Sequence, residues 1–265
     1  MLTYRELLSA LRQLGIPRQQ PVIAHASLSA FGEIQGGAET LLGALLGITD
    51  RLMVPTFTYR TMLVPQEGPP DNGLTYGDPR HRNDKAEFFH PQMPADPAMG
   101  ILAETLRQHP HAIRSTHPIL SFAGIQVQPA LEAQSILDPL APIGVLMEAQ
   151  GWVLLLGVDH TCNTSIHYGE QLAGRKQSVR WALTPQGVIT CPAWPGCSAG
   201  FEAIAPRLKA VTRQIQIGKA LVRAVPLVSL MERVQALIQT NPLALLCEDA
   251  HCQRCAAVRK ALTAG

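Results

Sequence analysis

An uninterrupted apolar run occupies residues 152–158, opening on Trp152 and bounded by Gly151 and Asp159. A run this short cannot span a membrane, which needs about 20 residues. It also lacks the in–out alternation of a strand with one wet face, so it reads as a strand buried in the middle of a sheet. A short polar loop follows, and Asn163-Thr164-Ser165 opens a helix. The same order occurs near the N-terminus. Residues 21–25 form a short apolar strand, Ala26-Ser27-Leu28-Ser29-Ala30-Phe31-Gly32 a loop of small residues, Gly36-Gly37 a helix start reaching Leu46, and Leu52-Met53-Val54 a second strand. Strand–loop–helix–strand order predicts a mostly parallel sheet whose functional loops leave the strand ends.

The remaining elements follow from local signals. Thr3-Tyr4-Arg5-Glu6 has the form of a capping box, Leu7, Leu8, Leu11 and Leu14 continue at helical spacing, and Gly15 with Pro17 ends the helix. Residues 59–96 show no sustained period and are rich in Pro, Gly, Asp and His, which predicts a long functional or mobile loop. Helical patterns return at 99–107, 145–149, 201–208 and 227–238. Strands are expected at 120–125 and through 215–225, with a hairpin around Pro185-Gln186-Gly187. No repeat or linker divides the chain, so residues 1–265 are expected to form one domain with a Cys-rich C-terminal segment, 247–255.

The net charge of +2 is too small for a nucleic-acid or anionic-membrane surface, and 46% hydrophobic residues supply a substantial core. The first residues lack the basic-then-apolar pattern of a signal peptide, so a soluble cytoplasmic protein is expected, its six cysteines serving as thiols or metal ligands rather than disulfides.

Thr164, His167 and Glu170 are spaced i, i+3, i+6 and share one helical face. A histidine is the usual general base near neutral pH, and a carboxylate one turn away can fix its tautomer. A surface His–Glu pair on a capped helix is the plainer reading of this segment alone. The Ser27-Leu28-Ser29 loop and Arg114-Ser115-Thr116-His117-Pro118 offer neutral and charged donors for a phosphate, although ordinary turn chemistry explains either loop taken singly. No Walker or dinucleotide fingerprint is present.

Taken in order, five blocks resemble the antibiotic N-acetyltransferase family, typified by aminoglycoside 3-N-acetyltransferases. They are His25-Ala26-Ser27-Leu28-Ser29-Ala30-Phe31-Gly32, Gly36-Gly37-Ala38-Glu39-Thr40, Val54-Pro55-Thr56-Phe57-Thr58, Arg114-Ser115-Thr116-His117-Pro118 with Ser121-Phe122, and Asn163-Thr164-Ser165-Ile166-His167 with Glu170. The resemblance implies a three-layer α/β/α fold with a central mostly parallel or mixed sheet, distinct from the common small acetyltransferase fold. It implies acetyl-CoA as donor, a primary amine as acceptor and a role in antibiotic resistance. By position it assigns Ser27, Leu28, Ser29, Arg114, Ser115, His117 and Ser121 to coenzyme A, Thr56, Phe57 and Thr58 to the pantetheine arm, and Thr164 to the acetyl carbonyl. His167 is then the base of a direct transfer, oriented by Glu170. A non-catalytic coenzyme A binder on the same scaffold, and an acetyltransferase for an amine other than an aminoglycoside, are the alternatives.

A polycationic acceptor requires converging carboxylates. The long loop supplies Glu67, Asp71, Asp78, Asp84 and Glu87 but interleaves them with Arg80, His81, Arg82 and Lys85, and the segment after Trp194 is neutral. This pattern predicts weak or narrow aminoglycoside activity. Near the C-terminus, Cys247, Cys252 and Cys255 have a C-x4-C-x2-C spacing that resembles a structural zinc knuckle, with Cys191, Cys197 or His251 as candidate fourth ligands; free or partly buried thiols on a C-terminal helix are the other reading.

Overall fold

The computed structural model describes residues 1–78, 80 and 83–263; His81 and Arg82 lie outside them. Helix α1 (Tyr4–Arg12) begins at the predicted capping box. The Glu6 N–H donates to Thr3 Oγ1 at 3.3 Å, and the Thr3 N–H donates to Glu6 Oε2 at 2.8 Å. Leu7 and Leu11 are fully buried, each contributing about 1.5–3 kcal/mol. Strand β1 (Val22–Ala26), helix α2 (Gly37–Leu46) and strand β2 (Leu52–Pro55) complete the first strand–helix–strand unit.

The chain continues through β3 (Met62–Leu63), α3 (Ile101–Arg107), β4 (Ile113–Arg114), β5 (Phe122–Ile125), α4 (Gln128–Glu132), α5 (Ala141–Glu148) and β6 (Trp152–Leu156). Then come α6 (Ser165–Leu172), the hairpin β7 (Ser178–Thr184) and β8 (Gly187–Trp194), α7 (Ala205–Leu208), β9 (Arg213–Ile217), β10 (Ala220–Pro226), α8 (Leu227–Thr240) and α9 (Gln253–Thr263).

Seven strands form one sheet in the order β4-β5-β2-β1-β6-β10-β9. The sheet is mixed rather than mostly parallel. Strand β1 runs parallel to both β2 and β6, with Ala24 opposite Leu154 and Ala26 opposite Leu156. All outer pairings are antiparallel. For the two edge pairs the reason is local: β9 and β10 are joined by a tight turn at Gly218 and β4 and β5 by a short loop, so no crossover helix is available to keep them parallel. A separate sheet pairs β3 with β7 and β7 with β8, so the long loop after β2 is anchored by Met62 and Leu63 against Ala182 and Trp181.

Two apolar cores sandwich the large sheet. One joins Leu7, Leu41 and Leu106 of α1, α2 and α3 to Val22, Val54 and Leu154. The other joins Ile143, Ile166 and Leu230 of α5, α6 and α8 to Ile23, Met53 and Val153. Alternate residues of each central strand thus face opposite helix layers, giving the three-layer α/β/α architecture. Among the described residues no helix is long and apolar enough to cross a membrane.

Several sequence readings shift at their edges. The expected helix at 99–107 is a 3-10 turn, Pro97–Met99, broken from α3 by Gly100. Helix α5 starts earlier than residue 145, with Pro142 in its first turn, where its missing N–H costs nothing.

Candidate active site

Because β2, β1 and β6 are parallel, the loops after them leave the same end of the sheet. Between these loops, and closed by the exit of β8 and the start of α9, lies a cleft of about 1120 Å³. It is lined by Ser27, Leu28 and Ser29 after β1, Phe57 and Tyr59 after β2, and Gly157 to Thr164 in part after β6. Clefts outside the carboxyl ends of parallel strands are the usual ligand sites of open α/β sheets. The β1 and β6 loops touch at Gly157, which has φ of +69°; a Cβ there would lie 2.5 Å from the Ala30 Cβ and 3.2 Å from the Ala220 Cβ.

Helix α6 aims its first turn at the cleft. Thr164 is its N-cap residue and lines the cleft, and the Asn163 side chain accepts from the Ser165 N–H at 3.1 Å. One turn in, His167 lines the cleft and its Nδ1 lies 2.8 Å from Glu170 Oε2. Glu170 is 3% exposed, and its other oxygen accepts from Arg175 Nη1 at 2.6 Å. Arg175 is itself held by the carbonyls of Pro242 and Ala244, each at 2.8 Å. The carboxylate between them makes Nδ1 the protonated nitrogen of neutral His167 and leaves Nε2 as its basic atom. The imidazole packs against Phe201, ring centroids 4.6 Å apart.

Arg175 was not identified from the sequence. Its signal was weak, one arginine just beyond the helix that carries Glu170, with carbonyl partners far along the chain.

The structure separates the residues assigned to coenzyme A into two groups. Ser27, Leu28, Ser29 and Phe57 line the cleft, and the Ser27 and Ser29 hydroxyls lie 3.2 Å apart. Thr56, Thr58, Arg114, Ser115, His117 and Ser121 do not; apart from His117 Nε2, which is buried without a hydrogen-bond partner, their polar side-chain atoms bind the protein itself. Arg114 donates to the Thr56, Pro91 and Met93 carbonyls and to Ser121 Oγ. Ser115 Oγ accepts from the Phe122 N–H at 2.9 Å, and Thr58 Oγ1 donates to the Pro118 carbonyl at 2.6 Å. His117 Nδ1 accepts from the N–H groups of Ile119 and Leu120 at 3.2 and 2.9 Å. Burial holds Arg114 down to about 10 and His117 down to about 4. These six residues therefore form a frame behind Phe57 and Leu120, which face the cleft. The physical reason is burial: polar side chains this enclosed are for the most part satisfied internally.

The acidic loop also differs from expectation. Asp71 pairs with Lys260 at 2.8 Å, Asp78 with Arg80 at 2.5 Å and Glu87 with Arg60 at 3.1 Å. None of the five expected acids lines the cleft. Among the described lining residues the one carboxylate is Asp159 and the one guanidinium is Arg254. Burial raises the Asp159 carboxyl, but hydrogen bonds from Thr161 and the Arg223 charge outweigh it and hold the group low. His25, also in the lining, is pushed down to about 3 by burial and by His160 beside it.

The C-terminal cysteines do converge. Cys197, Cys247, Cys252 and Cys255 place all four sulfurs within 4.8 Å of one another. Cys191 instead packs in the main core, and His251 is exposed.

An α/β/α sheet carrying a carboxylate-supported histidine in the wall of a cofactor-sized cleft defines an enzyme fold distinct from the small acetyltransferases. The model of the aminoglycoside 3-N-acetyltransferase family matches residues 23–239, and the chain belongs to that family, one of acyltransferases. It is 36% identical over 176 residues to aminoglycoside N(3)-acetyltransferase IX of Micromonospora chalcea, across 62% of this chain and 59% of that enzyme. The chain thus matches less than two thirds of that relative's length. The crystal structure of the apoenzyme of aminoglycoside acetyltransferase AAC(3)-IVa superposes with a TM-score of 0.77 at 23% identity, covering 98% of this chain and 97% of that one. A binary complex of AAC-IIIb with CoASH superposes at 0.69 with 22% identity, covering 90% and 96%.

Proposed function

We propose that the chain is an acetyl-CoA-dependent N-acetyltransferase that transfers directly to an amine, with His167 as general base. The observation that carries this reading is the buried His167–Glu170–Arg175 relay opening into the cleft that Ser27 and Ser29 line. A protein that only binds coenzyme A has no use for such a relay. The CoASH complex of AAC-IIIb supports the donor.

In this mechanism Nε2 of His167 takes a proton from the acceptor ammonium, and the freed amine attacks the thioester carbonyl. Glu170 stabilises the imidazolium that results, and Arg175 offsets the charge that burial of Glu170 would leave uncompensated. Thr164 donates its hydroxyl to the developing oxyanion, beside the N-terminus of α6. His167 passes that first proton to solvent, takes the second from the attacking nitrogen in the tetrahedral intermediate, and returns it to the coenzyme A thiolate that collapse expels. Phe57, with Leu120, packs the pantetheine arm, and the frame of Thr56, Thr58, Arg114, Ser115, His117 and Ser121 holds that wall. A covalent route through Cys162 is disfavoured. Cys162 is exposed, and partial desolvation, reinforced by the Asp159 charge, pushes its thiol up, opposite to the shift of an activated nucleophile.

The family supports an aminoglycoside-type acceptor. Asp159 as the one carboxylate among the described lining residues, with Arg254 as the one guanidinium, favours few cationic contacts and hence weak or narrow aminoglycoside turnover. A structural zinc at Cys247, Cys252 and Cys255 takes no part in the chemistry.

His167→Ala is expected to reduce acetyl transfer about 10²–10⁴-fold while coenzyme A affinity stays unchanged. Steady-state thiol release and coenzyme A titration on one preparation read both. Retention of more than about a tenth of the activity removes His167 from the role of base.

A further inference from the structure

We infer that Cys197, Cys247, Cys252 and Cys255 bind one zinc ion as a tetrahedral tetrathiolate, and that this ion fixes one wall of the cleft by tying α9 to the exit of β8. A zinc–sulfur distance of about 2.3 Å sets a tetrahedron edge of about 3.8 Å. The four sulfurs already lie within 4.8 Å of one another, with Cys247 and Cys255 3.4 Å apart. Three separate segments supply them: the loop after β8, the loop after α8, and the first turn of α9 with the residue before it. Backbone N–H groups point at the sulfurs, from Ala199 to Cys197 Sγ at 3.5 Å and from Cys247 to Cys255 Sγ at 3.4 Å. Donors of that kind suit thiolates, which carry the charge a neutral thiol lacks. Binding releases the four thiol protons to solvent and leaves a dianionic site. A disulfide would join two of the sulfurs and leave two buried thiols against it.

The packing shows why an ion is needed. The cysteines form their own small core, flanked by Leu246 and separate from the two cores of the sheet. Helix α9 adds only Ala257 and Val258 as further buried residues. Its other ties include Gln253 to Thr75 at 2.7 Å and Lys260 to Asp71 at 2.8 Å, both exposed. Exposed pairs contribute about 0–1 kcal/mol. An element with so little apolar area is held more firmly by a metal staple, as structural zinc sites hold other small elements.

The staple sits at the cleft. Cys197 lies between Gly196 and Ser198, and Arg254 lies between Cys252 and Cys255; Pro195, Gly196, Ser198 and Arg254 all line the cleft. Arg254 Nη1 reaches the Gly196 carbonyl at 3.5 Å. Loss of the ion releases this wall but leaves Ser27, Thr164 and His167 on their sheet-anchored elements. Only this second part rests on the acetyltransferase reading.

The test starts from full-length protein expressed in zinc-replete medium and purified under reducing conditions. Elemental analysis is expected to give one zinc per chain, lost in Cys197→Ser and in Cys255→Ser and kept in Cys191→Ser. Cobalt(II) exchanged into wild type is expected to give the intense visible bands of tetrahedral thiolate coordination, a readout that needs no variant to fold. Chelator-stripped, reduced enzyme is expected to show an acceptor KM raised about tenfold with the acetyl-CoA KM nearly unchanged. Zinc-free wild type, or full zinc in Cys197→Ser, overturns the site. An unchanged acceptor KM after stripping overturns the wall. Absence of any transferase activity with zinc bound defeats the acetyltransferase reading and leaves the metal site standing.

Discussion

Replacing Arg175 with methionine tests the relay at its buried end. Arg175→Met leaves Glu170, 3% exposed, with His167 as its remaining side-chain partner. Removing one partner of a buried ion pair costs about 3–5 kcal/mol. The lost hydrogen bonds to the carbonyls of Pro242 and Ala244 add about 1 kcal/mol each. The sum, about 5–7 kcal/mol, corresponds to a fall in Tm of roughly 10–20 °C for a chain of this size. Urea unfolding followed by tryptophan fluorescence near neutral pH measures it. The decisive arm is the double variant, Glu170→Gln with Arg175→Met, which removes the stranded charge and is expected to recover at least about 2 kcal/mol. A single variant within about 1 kcal/mol of wild type, or a double variant no more stable than the single, refutes charge compensation as the role of Arg175.

Stability is also expected to depend on pH through two buried histidines. Burial pushes His25 and His117 from 6.5 down to about 3 and about 4. The unfolded chain therefore takes up protons below pH 6.5 that the folded chain refuses. Their contribution is complete above 6.5 and declines as pH falls toward 4, by up to about 1.4 kcal/mol per histidine per pH unit. Urea titrations across that window measure the slope, and His117→Asn, which keeps an acceptor for the Ile119 and Leu120 N–H groups, is expected to flatten it; an unchanged slope counts against the assignment. For the acceptor, gentamicin, kanamycin, neomycin and apramycin are expected to be turned over weakly or selectively beside simple mono- and diamines. Tight, fast turnover of several of them shows that carboxylates other than Asp159 reach the bound substrate.

Local signals made much of this readable beforehand. The Thr3–Glu6 box, the uninterrupted run after Gly151 and the one-turn spacing of His167 and Glu170 each depend on neighbours within a few residues, which is the range over which backbone sterics and capping act. What escaped depends on distant partners. Arg175 is identified by carbonyls more than sixty residues away. The acids of the long loop looked available because their partners Arg60 and Lys260 are brought up by folding. Asp159 sat unnoticed in a turn. Cys191 and Cys197 were equal candidates by spacing, but β8 sends the first into the main core and carries the second past its end. The antiparallel outer strands likewise depend on which distant strands come to lie side by side, a property of the whole sheet order.

The contact at Gly157 sets how such a protein can change. Ala30, Ala220 and the backbone of residue 157 meet without room for one more carbon, so the loop bearing Ser27 and the loop leading to His167 shift together or not at all. The distance from donor to base is written in main chain, which substitution of side chains barely edits. The opposite wall is made of Trp194, a turn and a C-terminal helix. Drift there can exchange one amine for another while the chemistry keeps its spacing, so new acceptor specificities should arise at the exit of β8 and along α9 rather than around α6.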